Sequence, residues 1–251
     1  MMSKTAIVTG ASRGIGRAIA ERLAKDGAQV VLCARDHAAL SEVAGLTGGL
    51  VVAVDLRAPE SAARVVAAAV EAFGRIDIVV NNAGATKRGE FEDLSEEDWA
   101  DGFALKFFGA VRMTRAAWPH LKRQSGSVVN IAGIGGRTPG AQFAIGGSVN
   151  AAMLSLTKAL ADVGVRDGIR VNAINPGSVR TDRLARRLAA EAAKKRIDVD
   201  QAAREMVQAA NATRLGEPED IANLVAFIVS PAGAFLQGAL IDMDGGQTKT
   251  I

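Results

Sequence analysis

The chain has 251 residues, 49% of them apolar, which is enough material for one large domain with a single hydrophobic core. Its net charge of +3 comes from 30 basic and 27 acidic residues, a balance too even to indicate nucleic acid or a membrane surface as a partner. The single cysteine, Cys33, excludes an internal disulfide and favours a reducing cytoplasm. No apolar run approaches the roughly 20 residues of a membrane-spanning helix, and the N-terminus shows no signal-peptide pattern.

Short β-branched runs alternate with longer alanine-rich segments along the chain. The runs that predict buried strands are 5–9, 29–33, 50–54, 77–80, 127–131 and 170–174. The segments between them have helical spacing, and several end in glycine. This alternation predicts an α/β fold, with one Rossmann-type, doubly wound parallel sheet and helices on both faces, in a single domain over residues 1–251.

Residues 182–213 interrupt the alternation, because they place two helical stretches between a strand and the next helix. Ligands of open parallel sheets bind outside the carboxyl ends of the strands, so we expect this segment to form a helical substrate cap. Its basic residues form either a solvated face or an attraction for an anionic substrate such as an acyl thioester. These residues are Arg183, Arg186, Arg187, Lys194, Lys195 and Arg196.

The first predicted strand runs directly into TGASRGIG, which contains Gly10, Gly14 and Gly16. A glycine loop lets a pyrophosphate approach the backbone and the N-terminus of the following helix. Glycine triplets also occur in ordinary turns, but this one follows a strand and opens a helix, which is the confirming context. The loop therefore predicts a dinucleotide site.

The second predicted strand ends at Cys33, within the letters CARD. The acidic residue that binds ribose hydroxyls in NAD-dependent proteins does not stand directly after this strand. Arg35 lies there instead, and Arg13 lies in the glycine loop. Two guanidinium groups suit a 2′-phosphate through bidentate hydrogen bonds, which predicts NADP(H) in preference to NAD(H). The alternative is that both arginines are solvated surface charges.

With its glycine loop and several motifs downstream, the chain resembles the short-chain dehydrogenase/reductase family. Within that family it is similar to a standard-length branch, the 3-oxoacyl-carrier-protein reductases. The resemblance runs from TGASRGIG through NNAG at 81–84 and VNAINPGSVRT to RLGEPEDIA and MDGGQT. It implies an oxidoreductase for a small carbonyl or alcohol substrate, assembled as a dimer or tetramer, with no metal. The cofactor-binding residues that the loop and the resemblance imply are Gly10, Ser12, Arg13, Gly14, Ile15, Gly16, Arg35, Asp55, Leu56, Asn82, Ala83, Gly84, Asn150, Pro176, Gly177, Val179 and Thr181.

The resemblance also implies four catalytic side chains, an asparagine, a serine, a tyrosine and a lysine, and this sequence lacks all four. Matching the flanking residues places Lys106, Gly133, Gly146 and Asn150 at their positions. Gly146 follows Gly133 by thirteen residues, the spacing of serine and tyrosine that the resemblance implies. Because the chain contains no tyrosine, a shifted alignment cannot restore the usual proton donor.

Lys106 is the candidate for a replacement proton group, since partial burial would lower the pKa of its ammonium into a useful range. Alternatively it pairs with a carboxylate or extends into solvent. The glycines at 133 and 146 would leave a roomier floor beside the nicotinamide, and Asn150 would hydrogen-bond to a ribose hydroxyl. Four more polar residues near the pocket are typical of loop or surface structure: Arg137, Gln142, Ser148 and Arg180.

Three functions fit this pattern. The preserved nucleotide motifs favour an NADP-dependent oxidoreductase with an altered proton path. Loss of all four catalytic residues favours an NADP-binding pseudoenzyme, or a non-catalytic subunit that partners an active relative. The third is different chemistry on the same scaffold, with the nucleotide as a structural element.

Overall fold

The computed structural model describes residues 4–250. Seven parallel strands form one sheet in the order β3-β2-β1-β4-β5-β6-β7. The strands are β1 (Thr5–Thr9), β2 (Gln29–Ala34), β3 (Leu50–Ala53), β4 (Ile78–Asn81), β5 (Ser127–Ile131), β6 (Arg170–Pro176) and β7 (Leu240–Met243). The helices are α1 (Gly14–Lys25), α2 (His37–Thr47), α3 (Ser61–Phe73), α4 (Glu96–Gly102), α5 (Gly109–Gln124), α6 (Ala144–Asp167), α7 (Asp182–Lys195), α8 (Val199–Ala209) and α9 (Pro218–Val229).

Both faces of the sheet are covered, which explains why the strands are apolar throughout. Along β1, Ala6 and Val8 belong to the core shared with α1 and α9, whereas Ile7 belongs to the core shared with α3 and α5. This is the alternation that a pleated strand imposes. The strand order reverses between β1 and β4, so the chain leaves a crevice at the carboxyl ends of these two strands. The predicted fold class is confirmed.

Two elements lie outside the segments that the sequence analysis assigned, namely α2 and the edge strand β7. The helical segment predicted between the strands 77–80 and 127–131 is also less regular than expected. It divides into α4, a π-helical turn at Phe103–Phe108 and α5. Among residues 4–250, no helix has both the length and the apolar character that crossing a bilayer requires.

The segment between β6 and α9 does contain two helices. Thr181 caps α7 by accepting a hydrogen bond from the Leu184 N–H (3.4 Å). α7 and α8 pack against each other through a small core of their own, which includes Leu188 and Ala202. Because α7 begins six residues after the end of β6, its N-terminal turn lies beside the carboxyl edge of the sheet.

Candidate active site

The glycine loop after β1 is fastened to the end of β4 through Asn82. The Asn82 Nδ2 donates to the Thr9 carbonyl (2.9 Å), and the Thr9 Oγ1 accepts from the backbone N–H groups of Asn82 (2.9 Å) and Ala83 (3.0 Å). A Cβ at Gly16 would overlap the carbonyl oxygen of Gly10, so this turn requires glycine there. The Asn82 amide therefore positions the loop backbone at the crevice.

The N-terminus of α1 fits an anion. Arg13, at its N-cap, makes no side-chain capping bond, and the first turn carries no acidic residue. By contrast, α2, α4 and α8 begin with Asp36, Ser95 and Asp198, whose side chains each accept from a first-turn N–H. Uncapped N–H groups at a helix N-terminus bind phosphate. The residues of the 10–16 loop therefore fit the pyrophosphate of a dinucleotide.

The two arginines expected at a 2′-phosphate lie at the ends of adjacent strands. The Gly10 N–H donates to the Cys33 carbonyl (2.7 Å), which joins the glycine loop to the end of β2. Arg35 is 65% exposed, and its Nη1 lies 3.9 Å from the Asp55 Oδ2. Arg13 is exposed and forms no ion pair within residues 4–250. Both guanidinium groups have room to bind an added phosphate.

The other residues expected at the cofactor follow the carboxyl ends of β3, β4 and β6. Leu56 is only 5% exposed and belongs to the core, so its side chain supports the site from behind. Val179 is 7% exposed and forms a parallel bridge with Gly216. Pro176 ends β6, and Gly177 packs closely against Asp244, where a Cβ would lie 2.8 Å from the Asp244 Cα. The remaining positions, Ser12, Gly14, Ile15, Ala83 and Gly84, line the two loops at the crevice.

Lys106 lies on the π-helical turn at Phe103–Phe108, a rare conformation that is frequent at functional sites. Its stem crosses Gly84, where a Cβ would lie 2.8 Å from the Lys106 Cδ. The Nζ donates to the Ala132 carbonyl (2.5 Å) and to the Asn150 Oδ1 (2.6 Å). Within the described residues it pairs with no carboxylate, and its ammonium points inward. Both alternatives weighed for this lysine are therefore wrong.

The environment of Lys106 suits proton transfer. Burial, and secondarily the positive charge of Arg183, lower the pKa of Lys106 from its ordinary 10.5 to about 7. Two of the tetrahedral positions around Nζ are used by the bonds to Ala132 and Asn150. A third position carries a proton in the ammonium and a lone pair in the neutral amine. The same atom can therefore donate a proton or accept one near neutral pH.

The pair formed by Lys106 and Asn150 exchanges the residue types that the resemblance implies. An asparagine is implied at 106 and a lysine at 150, whereas here the lysine comes from the π-helical turn and the buried asparagine from α6. Gly133 lies against this pair with φ of +139°, and a Cβ there would be 3.0 Å from the Asn150 Nδ2. A side chain at 133 would therefore be strained and would crowd Asn150.

The expectation of a roomier floor at Gly146 is wrong, because Phe143 fills that space. A Cβ at Gly146 would overlap the edge of the Phe143 ring, and one at Gly135 would lie 2.7 Å from the Phe143 Cε1. The ring stacks in turn under Arg88, whose Cζ is 4.0 Å from the ring centroid. Neither Phe143 nor Arg88 was singled out from the sequence. The high glycine content of the sequence around position 143 is the signal that could have indicated a tightly packed ring there.

A buried polar network supports the site from beneath. The Asn81 Nδ2 donates to the Thr114 Oγ1 (2.9 Å) and to the Asn130 Oδ1 (2.8 Å). The Asn130 Nδ2 donates to the Thr157 Oγ1 (2.9 Å), which bonds back to the carbonyl of Met153 in α6 (2.7 Å). These bonds tie the ends of β4 and β5 to α5, which follows the turn that carries Lys106, and to α6, which carries Asn150. The relative position of that pair is therefore held by the core.

The other polar residues near the pocket have structural partners. Arg137 pairs with Asp242 (3.2 Å), and Arg180 pairs with Glu217 (3.1 Å). The Gln142 Nε2 donates to the Glu90 Oε1 (2.6 Å). Ser148 is exposed on α6. Over the described range, no three His, Cys, Asp or Glu side chains are grouped to hold a metal ion.

Comparisons with known proteins cover the whole fold. The family described as enoyl-(acyl carrier protein) reductase matches residues 10–248. A 3-oxoacyl-[acyl-carrier-protein] reductase of Vibrio cholerae is 33% identical over 97% of this chain and 96% of its own length. The structure of an L-sorbose reductase from Gluconobacter frateurii, complexed with NADPH and L-sorbose, aligns with a TM-score of 0.94 and 32% identity, over 100% of this chain and 98% of the other.

A further solved structure is similar to this chain over nearly its whole length. A short-chain oxidoreductase from Pseudomonas aeruginosa PAO1, described as containing an atypical catalytic center, aligns with a TM-score of 0.90. It is 28% identical, and the alignment covers 99% of this chain and 98% of that one.

Proposed function

This chain belongs to the short-chain dehydrogenase/reductase family, and we propose that it is an NADP-dependent oxidoreductase whose proton group is Lys106. The observation that carries the proposal is the position of the Lys106 Nζ, held between the Ala132 carbonyl and the Asn150 Oδ1 at the crevice. The atypical centre named for the Pseudomonas protein supports the idea that this scaffold works with other reacting residues.

The preference for NADP(H) is supported by Arg13 and Arg35, and by the NADPH complex of the sorbose reductase. Bound NADPH would supply the hydride for a carbonyl substrate, and NADP⁺ would accept it from an alcohol. The 10–16 loop and the uncapped N-terminus of α1 would hold the pyrophosphate. Arg183 donates to the Gly84 carbonyl (2.6 Å) and lies close enough to Arg13 for the two charges to repel, so it is a further candidate for a phosphate contact.

Lys106 would hold and transfer the proton. In its ammonium form the free N–H donates to the substrate oxygen as that oxygen gains charge, and in its neutral form the lone pair accepts the hydroxyl proton of an alcohol. Asn150 keeps Nζ in place by accepting one of its hydrogens. Asn150 supplies no charge, so the pKa of Lys106 stays low enough for both directions near neutral pH.

The finer features of the proposal are a small-molecule substrate, anionic or an acyl thioester, a cytoplasmic location and a homo-oligomer. The basic cap supports the anionic substrate. Phe108 of the π-helical turn is 45% exposed. This exposure supports pairing of two copies of the chain through the long helical segments 103–122 and 147–163. Light scattering after size exclusion would distinguish a monomer from a dimer or tetramer.

The test has two stages. NADPH and NADH are first titrated by fluorescence, where tighter binding of NADPH is expected. The NADPH-loaded protein is then tested for turnover on a panel of aldehydes, ketones and keto acids, alongside Lys106→Met. Turnover by the wild type that survives in Lys106→Met would remove Lys106 as the proton group. Failure to bind either nucleotide would overturn the proposal altogether.

A second candidate is a catalytically inactive NADP-binding protein, or a non-catalytic subunit of an active relative. It is favoured by Phe143, whose ring occupies the space next to Gly146 where the family places its proton donor. It predicts NADPH binding without turnover on any panel member, and recovery of activity only when an active relative is present.

A further inference from the structure

Two elements that carry arginines lie against each other at the crevice. Arg183, at the start of α7, donates to the carbonyl of Gly84 in the loop after β4 (2.6 Å). Arg187 lies one helical turn after Arg183, and Arg88 lies four residues after Gly84 in that loop. Loss of solvent around its guanidinium lowers the pKa of Arg88, and the charges of Arg187 and Arg183 lower it further. Two further positive charges therefore act on Arg88, and one of them, Arg183, also acts on Lys106.

Within residues 4–250, Arg88, Arg183 and Arg187 take part in no ion pair, whereas eleven other basic residues do. Glu90, two residues from Arg88, instead accepts from the Gln142 Nε2 (2.6 Å). Gathering like charges destabilises a fold unless a ligand of opposite charge offsets the repulsion.

The guanidinium of Arg88 is prearranged by its stacking on Phe143, with 4.0 Å between its Cζ and the ring centroid. Stacking uses the face of the guanidinium and leaves its edge N–H groups free for a planar, bidentate acceptor. The Phe143 ring can lie there because positions 135 and 146 carry no side chain. The glycine at position 146 therefore leaves room for the ring on which Arg88 stacks.

We propose that Arg88 and Arg187 bind a carboxylate of the substrate, so that the molecule reduced or oxidised here is an oxo acid or its hydroxy acid. The inference rests on the proposed function for the position of the reacting carbonyl at Lys106. In this arrangement the substrate carboxylate lies on the Phe143 side of the crevice, and the pyrophosphate of the cofactor lies on the Arg13 side. The Phe143 ring covers the apolar carbon atoms of the substrate, between its carboxylate and its reacting carbonyl.

The test measures binding first, with the protein saturated with NADP⁺ so that the cofactor phosphates are already bound. The probes are pyruvate, 4-oxopentanoate, 5-oxohexanoate and 6-oxoheptanoate, each with its methyl ester as the neutral counterpart, titrated by calorimetry. The variants are Arg88→Gln and Arg187→Gln. The matched control is Arg204→Gln, an exposed arginine of α8 without an ion pair in the described range.

For at least one chain length, we expect the wild type to bind the acid roughly tenfold or more tightly than the ester, since charge-assisted bidentate bonds contribute about 1.5–3 kcal/mol. That ratio should fall to near unity in both site variants and stay unchanged in Arg204→Gln. Equal binding of acid and ester by the wild type would overturn the proposal. So would variants that weaken NADPH binding while the acid preference persists, because the arginines would then serve the cofactor. Acid preference without turnover would retain this site while the proposed oxidoreductase activity fails.

Discussion

The two sides of the crevice differ in how closely they follow the family pattern. On the side of β1 and β2, the glycine loop, the uncapped N-terminus of α1 and the bond from Asn82 to Thr9 form the cradle proposed for the dinucleotide. On the side of β5 and α6, Gly133, Gly146 and Asn150 stand at the positions where the resemblance implies serine, tyrosine and lysine. The backbone there is nevertheless regular, and α6 runs without interruption from Ala144 to Asp167.

Under the proposed function, the binding framework and the reacting groups are separable. The framework depends on backbone N–H groups and close approaches, which few substitutions can preserve. The reacting groups depend on a few side-chain atoms, which another element can supply. In the proposed mechanism the amine comes from the π-helical turn, whereas the resemblance implies a lysine on α6.

The largest expected effect comes from removing the proton group. Lys106→Met keeps the length of the side chain and removes the transferable proton, so kcat on the best substrate of the panel should fall by roughly 10²–10⁴. NADPH affinity should change by less than about threefold, because the lost interaction acts on the reacting atoms. Lys158→Met, on the exposed side of α6, is the control. If Lys106→Met lost NADPH affinity together with kcat, the cofactor side and the reacting side of the crevice would not be independent.

The next effect tests the nucleotide side alone. Arg35→Gln should weaken NADPH binding by roughly tenfold to a hundredfold and leave NADH binding nearly unchanged, since hydrogen bonds to charged groups contribute about 1.5–3 kcal/mol. Fluorescence titration measures both. Arg64→Gln, exposed on α3, should change neither. Equal losses for the two nucleotides would mean that Arg35 does not recognise a 2′-phosphate.

A third effect concerns Phe143. Gly146→Tyr introduces a side chain into the Phe143 ring and should lower the free energy of unfolding by about 1–3 kcal/mol, which lowers the Tm by several degrees. Adding Phe143→Gly should recover most of that loss. Gly140→Tyr, at a position with no atom within 4 Å of a Cβ, is the control in thermal unfolding. Unchanged stability in Gly146→Tyr alone would show that the ring moves aside freely.

The smallest effect is a shift of pH dependence. Carbonyl reduction requires the ammonium, so with a Lys106 pKa of about 7 the kcat/KM should decline above pH 7, and alcohol oxidation should rise over the same range. Asn150→Asp places a carboxylate beside Nζ and should move this limb upward by about 1–3 pH units. Gln208→Glu adds the same charge on α8, away from the site, and should leave the profile in place. A limb that does not move in Asn150→Asp belongs to another group.

The fold followed from the sequence because buried parallel strands give unambiguous apolar runs, and the six predicted strands agree with the structure to within a residue or two. β7 lacks that signal. It is a four-residue edge strand, half-buried throughout, and Asp242 within it bonds to Asn175 (2.7 Å) and Arg137 (3.2 Å). Such a strand is defined by its partners, which a local pattern does not contain.

The candidate site was predictable as a set of vacant positions but not as an arrangement. The resemblance, matched through the flanking residues, was enough to align Lys106, Gly133, Gly146 and Asn150. Whether Lys106 turned inward depended on the π-helical turn and on the absence of a side chain at Gly84, which a regular helix pattern does not reveal. Phe143 contacts Gly146 across the start of α6. The direction of a side chain at a helix start depends on the local backbone, so the sequence pattern does not indicate this contact.

The Phe143 ring also determines how this protein can be re-engineered. A single substitution that places tyrosine at position 146 would enter occupied space, and loss of the ring alone would leave a void next to two glycines. Each single step toward a tyrosine at this helix start therefore gives a less stable protein. Installing the proton donor that the resemblance implies would need changes at both positions together.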